Sequence, residues 1–176
     1  MCIRDRSFII ELAKKLKLKN YLLQKTIKNF KGLKYRQQII LQKKNLTIIN
    51  DSKSTSFSSS VGMLKKDSNI LWLLGGIYKK GDKLELKKKD LSNVTAFIYG
   101  KNKNFFIKQL RSKVKLKNYL NLEDAVKNVF SIIKTKRSIK YTILFSPCAA
   151  SFDRFKNFEE RGLYFNRLVK RFMYGK

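Results

Sequence analysis

Asn69-Ile-Leu-Trp-Leu-Leu-Gly-Gly76 runs five apolar residues together and closes them with two glycines. A short apolar run bounded by turn residues reads as a fully buried strand. Working outward, Val94–Tyr99 is a second such run closed by Gly100, and Lys140–Phe145 is the last. Gln37–Leu41 and Leu46–Asn50 are strand-like pieces upstream, and Lys113–Leu116 is a shorter one. Helical spacing lies between and around them. Ile9, Ile10, Leu12, Ala13 and Leu16 mark a helix over Ser7–Leu18, and a second runs to Phe30 with Asn20 as its cap. A short helix ends near Lys65, and Asn104–Leu110 reads as another. Leu122, Ala125, Val126, Val129, Phe130, Ile132 and Ile133 form an amphipathic helix capped by Asn121, with Asp124 at its third position. Phe165, Leu168, Val169 and Phe172 mark the final one. Strands alternating with helices predict an α/β fold, a mostly parallel sheet with helices on both faces.

Composition narrows the function. The 176 residues suffice for one ordinary domain and part of another, and at 43% hydrophobic they can build a core. No apolar run approaches a membrane span, so no membrane insertion is expected. Met1–Arg6 has no apolar segment of the kind a secretory signal needs, and it looks unlike the rest of the chain, so it is set aside as non-native. The net charge of +29 suits a nucleic-acid or anionic-membrane binder. The lysines are scattered, however; Lys14-Lys15, Lys65-Lys66 and Lys87-Lys88-Lys89 fall where helix ends or loops are expected, as a solvated surface would place them. The two cysteines, Cys2 and Cys148, make no disulfide framework, and Cys148 reads as a small buried thiol. There is no histidine, which removes Ser-His-Asp and Cys-His devices and most zinc sites.

In parallel α/β sheets, ligands bind beyond the carboxyl ends of the strands. Three polar segments follow predicted strands: Asn50-Asp-Ser-Lys-Ser-Thr55, Gly75-Gly-Ile-Tyr-Lys79 and Ser146-Pro-Cys-Ala-Ala-Ser151. The first offers a carboxylate, a cation and hydroxyls that could hold an anionic substrate or a nucleotide; it also suits a polar turn capping the next helix. In the second, Gly75-Gly76 allows a tight turn, and Lys79 and Lys80 stand where a carboxylate or phosphate could bind. It is not a phosphate-binding loop, since Gly-x-x-x-x-Gly-Lys-Ser/Thr occurs nowhere in the chain. In the third, small residues permit close backbone approach and Ser151 can present hydroxyl and amide to an anion; Phe152, Phe155 and Phe158 could equally be packing residues.

Ser146-Pro-Cys-Ala-Ala-Ser-Phe-Asp-Arg-Phe-Lys-Asn-Phe-Glu-Glu-Arg-Gly162 closely resembles the C-terminal signature of the D-glutamate-adding branch of the Mur ligase family. Asn50-Asp-Ser-Lys-Ser-Thr55 is similar to its Asn-Asp-Ser-Lys-Ala-Thr motif, and Leu73-Leu-Gly-Gly76 with Lys79 to its Leu-Gly-Gly-x-x-Lys motif. Phe30-Lys-Gly-Leu33 with Arg36 resembles its linker, and Val94–Gly100 its strand ending in Tyr/Phe-Gly. Order and spacing agree from about Ser7 onward.

The resemblance implies a Rossmann-like C-terminal domain over 31–176, preceded by a helical remnant of the central ATP-binding domain over 1–30. It implies a bacterial, cytoplasmic enzyme of peptidoglycan synthesis. Such ligases use ATP and Mg2+ to phosphorylate the alanine carboxylate of UDP-N-acetylmuramoyl-L-alanine, and the amine of D-glutamate then attacks the acyl phosphate. By motif match, Thr55, Lys79, Ser151 and Phe158 would line the D-glutamate pocket. Arg36 and Asp51 would face the nucleotide, and Lys53 would act near the transferred phosphate and the incoming amino acid. No metal ligand is expected here. The phosphate-binding loop and the magnesium-binding segments have no counterpart in the chain, so it is expected to be inactive alone. Lys34-Tyr35 stands where Pro-His is usual, and Ser56 where Asn is usual. The competing expectation is a basic α/β nucleic-acid-binding module, although no aromatic-studded basic stripe accompanies the charge.

Overall fold

The computed structural model describes residues 3–30, 32–65, 68–136 and 138–175, with side chains from Ser7 onward. Cys2 and Lys66 therefore lie outside the described residues. The chain divides into two compact units, Met1–Lys34 and Tyr35–Lys176.

The first unit is helical: α1 (Ile3–Lys15) and α2 (Asn20–Asn29). Helix α1 ends in a Schellman turn, with Leu18 N–H donating to Ala13 O at 3.0 Å, Lys17 N–H to Lys14 O at 2.9 Å, and Lys17 in the left-handed region at φ 53°. That turn uses the chain through Leu18, so Lys19 occupies the cap position of α2. Asn20 is the first helical residue, contrary to its expected capping role, and no side chain caps this helix.

The second unit is a six-stranded sheet between two helical layers. Its strands are β1 (Gln38–Lys43), β2 (Leu46–Asn50), β3 (Asn69–Gly75), β4 (Val94–Tyr99), β5 (Lys115–Tyr119) and β6 (Tyr141–Phe145). Their spatial order is β1-β2-β6-β3-β4-β5, parallel throughout except the β1–β2 hairpin. The remaining helices are α3 (Phe57–Leu64), α4 (Lys103–Leu110), α5 (Leu122–Thr135) and α6 (Phe158–Tyr174).

Alternate residues of the central strands feed opposite cores, as strand geometry requires. Ile70, Trp72, Leu74, Ala96, Ile98 and Leu144 pack with Phe57 and Leu64 of α3 and with Phe106 and Leu110 of α4. Leu71, Leu73, Phe97, Tyr99, Ile143 and Phe145 pack with Ala125, Val126 and Val129 of α5 and with Phe165 and Leu168 of α6. Asn121 caps α5 as expected, accepting from Asp124 N–H at 2.9 Å. Asn157 does the same for α6, accepting from Glu160 N–H at 2.8 Å.

Strand β5 begins two residues later than the expected Lys113–Leu116. The N–H groups of Lys113 and Val114 both return to Leu110 O, at 2.9 and 3.1 Å, finishing the turn after α4 before the strand can start. The basic clusters sit at helix ends and turns: Lys14-Lys15 in the last turn of α1, Lys65 just past α3, and Lys87–Lys89 around a 3-10 turn at Lys88–Leu91.

Candidate functional site

Strand β6, last of the six in sequence, lies between β2 and β3. Because all three run parallel, the segments leaving their carboxyl ends emerge side by side. These are the three polar segments singled out by sequence, and hydrogen bonds join them. Asp51 N–H donates to Phe145 O at 2.7 Å, tying the first to the end of β6, from which the third leaves. Gly75 N–H donates to Pro147 O at 3.1 Å. Ile77 and Ala150 exchange both backbone bonds, at 3.1 and 2.8 Å, tying the second to the third. Gly76 is required here: its φ is 125°, and a β-carbon would stand 2.6 Å from Ala150 O.

A buried polar network runs beneath. Asp51 accepts from Ser146 Oγ at 2.8 Å and from Gln37 N–H at 3.0 Å. Burial nevertheless holds its pKa above the ordinary carboxylate value, against the pull of those bonds and of Arg36. Ser146 Oγ meets Ser60 Oγ at 2.6 Å, which in turn meets Ser54 Oγ at 3.0 Å and Cys148 Sγ at 3.0 Å. Cys148 is fully buried and its thiol is pushed up to about 12, the state of an inert core thiol.

Lys53 is half-buried, and its Nζ stands 3.9 Å from the ring centroid of Phe158, the first residue of α6. Thr55 is exposed in the turn before α3, and Lys79 is exposed beyond β3. Ser151 is buried, and its carbonyl accepts from Arg154 and Phe155 N–H at 3.2 and 3.0 Å. Asp51 is buried and Arg36 exposed, close enough for Arg36 to pull the Asp51 pKa down. Lys53 and Phe158 are thus in contact, and the segments carrying Lys79 and Ser151 are paired. Among the described residues, no hydrogen bond joins the side chains of Thr55, Lys79 and Ser151.

No family model matches the chain. It is 37% identical over 161 residues to a curated UDP-N-acetylmuramoylalanine–D-glutamate ligase from Wolbachia sp. subsp. Brugia malayi, covering 91% of this chain and 32% of that protein. Proteins of the same name from Prochlorococcus marinus and Rickettsia felis are 34% and 35% identical, over 93% and 91% of this chain and 35% and 36% of theirs. The chain is similar to these Mur ligases over nine-tenths of its own length. It spans about a third of the length of the curated relatives it matches.

The Mur ligase signature contains a residue whose importance only the structure reveals. Arg161, 1% exposed, donates from Nη2 to Ser52 O at 2.7 Å and to Ala149 O at 2.9 Å, and from Nε to Ser52 Oγ at 3.2 Å. It therefore clamps the first polar segment to the third. Its signal in the sequence was a charge placed four residues before Phe165, in line with the apolar stripe of α6. Asn50 is a second such residue, donating to Gly162 O at 2.9 Å and to Asn166 Oδ1 at 2.8 Å.

Magnesium prefers several oxygen ligands. Among the described residues no three carboxylate, thiol or imidazole groups gather, and the oxygens of Asp51 already accept from Gln37 and Ser146. These residues do not fit a magnesium site.

Proposed function

We propose that this chain is the amino-acid-holding part of a ligase that joins D-glutamate to UDP-N-acetylmuramoyl-L-alanine. Residues up to about Phe30 would be the end of a central ATP-binding domain, and residues from about Lys31 the C-terminal domain. ATP and the muramoyl nucleotide would be bound chiefly by a longer protein, within the bacterial cytoplasm. Among the described residues no helix is long and apolar enough to cross a membrane.

The observation that carries the reading is the Ile77–Ala150 pairing, which brings the Lys79 and Ser151 segments together beside the Asp51–Thr55 loop. Lys79 supplies a mobile cation for a carboxylate. Thr55 and Ser151 supply hydroxyl donors, and Ser151 also a backbone amide. Phe158 holds Lys53 through its ring, keeping that ammonium beside the place where the amino acid meets the activated acyl group. Arg36 and Asp51 stand at the start of β1 and the end of β2, facing the nucleotide. The chain alone binds D-glutamate weakly and does not turn over, because domain closure completes such pockets and phosphoryl transfer needs its cradle and metal together.

Amide shifts on titrating the chain with D-glutamate, with L-glutamate as control, test this. Selective shifts at Thr55, Lys79 and Ser151 are expected. Equal response to both enantiomers, or shifts confined to scattered surface lysines, would refute the pocket. Tight, sequence-selective nucleic-acid binding that survives moderate salt would instead support the basic-module reading, since net charge alone gives only weak, salt-sensitive binding.

A further inference from the structure

Two buried side-chain atoms have no hydrogen-bond partner among the described residues: Arg161 Nη1 and Tyr99 Oη. Arg161 is 1% exposed and Tyr99 4%. Buried donors are rarely left unmet, because each has given up its water. The two flank the same turn. A β-carbon on Gly76 would stand 3.3 Å from Arg161 Nη1, and one on Gly75 would stand 3.1 Å from Tyr99 Cδ2.

An acceptor of the right chemistry is near. A β-carbon on Gly100, the residue after Tyr99, would stand 3.9 Å from Asp153 Oδ2. Asp153 sits on the exposed turn that follows Ser151. Burial keeps the Tyr99 phenol protonated, so that it can donate, and the Arg161 guanidinium pulls the Asp153 carboxyl pKa down against its own burial. A carboxylate has two oxygens and can take one hydrogen bond from each orphan donor.

We propose that Asp153, Arg161 and Tyr99 are positioning residues for the amino-acid pocket. When the amino acid binds, the Asp153 carboxylate turns inward to accept from Arg161 Nη1 and Tyr99 Oη, and this seats Ser151 two residues before it. The proposal rests on the D-glutamate reading above. Arg161 is suited to the task because its other nitrogens already hold Ser52 and Ala149. One guanidinium then fixes the Asp51–Thr55 loop, the floor of the Gly75-Gly76 turn and the Ser151 loop together. Asp153 is exposed in this conformation, and the two unmet donors are where its carboxylate would turn.

The test is D-glutamate titration of the whole chain, reading the pocket amides of Thr55, Lys79 and Ser151 together with the Arg161 guanidinium N–H signals. Three variants accompany it: Asp153→Asn, Tyr99→Phe and the double variant. Asp153 is exposed and Tyr99→Phe keeps the ring, so the unliganded spectra should be retained. D-glutamate should shift the Arg161 signals, and Asp153→Asn should weaken binding about tenfold, the scale of one charge-assisted hydrogen bond. The double variant should be no weaker than Asp153→Asn alone, the non-additivity of groups acting through one contact. If the pocket amides respond while the Arg161 signals stay fixed and Asp153→Asn binds normally, the positioning proposal fails and the pocket reading stands. If nothing responds to D-glutamate, both fail.

Discussion

The ring of Tyr35 lies so close to Gly162 that a β-carbon on that glycine would stand 2.3 Å from Tyr35 Cδ1. Tyr35 itself is in the left-handed region at φ 62°, with its N–H donating to Gln38 Oε1 at 3.1 Å and its carbonyl accepting from Lys53 N–H at 3.0 Å. The aromatic ring that replaces the usual histidine thus docks on α6, and its backbone docks on the Lys53 loop. Gly162→Ala should push the ring away and destabilise the chain by about 1–3 kcal/mol, the usual range for overpacking. Tyr35→Ala combined with Gly162→Ala should recover part of that loss, since the clash is removed. Chemical denaturation of these two variants and of Tyr35→Ala alone measures this, and strictly additive losses would contradict the contact.

Lys79→Ala probes the pocket in a full-length relative carrying this domain. Removing the cation proposed to pair with the substrate carboxylate should cost roughly 2 kcal/mol in D-glutamate use. Lys79 is exposed here, so the fold should not change. Phosphate release at varied D-glutamate concentration reads the effect, and an unaltered dependence would remove Lys79 from the pocket. In the same assay, the isolated chain should release no phosphate.

The buried carboxyl of Asp51 has a stability signature in pH. Its pKa is raised above the model-compound 3.8, chiefly by burial. A carboxyl with a raised folded pKa binds protons more readily folded than unfolded. Its contribution is therefore fully present below the unfolded value and is lost as pH rises through the folded one. Asp51→Asn lacks this titration. Its stability relative to the unaltered chain should be greatest at neutral pH and should fall as pH drops toward 4. A relative stability that grows on acidification would show that hydrogen bonds from Ser146 and Gln37 outweigh desolvation.

Cys148 should resist thiol reagents. It is fully buried and its thiol is pushed up to about 12, so the reactive thiolate is scarce at neutral pH and unreachable in the folded state. In a Cys2→Ser chain, labelling should occur only at the rate of unfolding. Fast labelling without denaturant would mean that the Ser146–Ser151 loop opens readily.

Much of this protein is local and therefore written in its sequence. The buried strand at Asn69–Leu74 follows from an unbroken apolar run, and the α5 cap from Asn121 with Asp124 at the third position, since both depend on neighbours along the chain. Asn20 misled because a competing local motif, the Schellman turn at Lys17, used the residues before it. The order β1-β2-β6-β3-β4-β5 belongs to tertiary structure. No short-range pattern says that the last strand inserts between the second and third, yet this is what brings Asp51, Gly76 and Ser151 to one edge. The same holds for Arg161. By sequence it is one basic residue among 41. Only packing shows that it is buried, where carbonyls separated along the chain must meet its donors because water cannot.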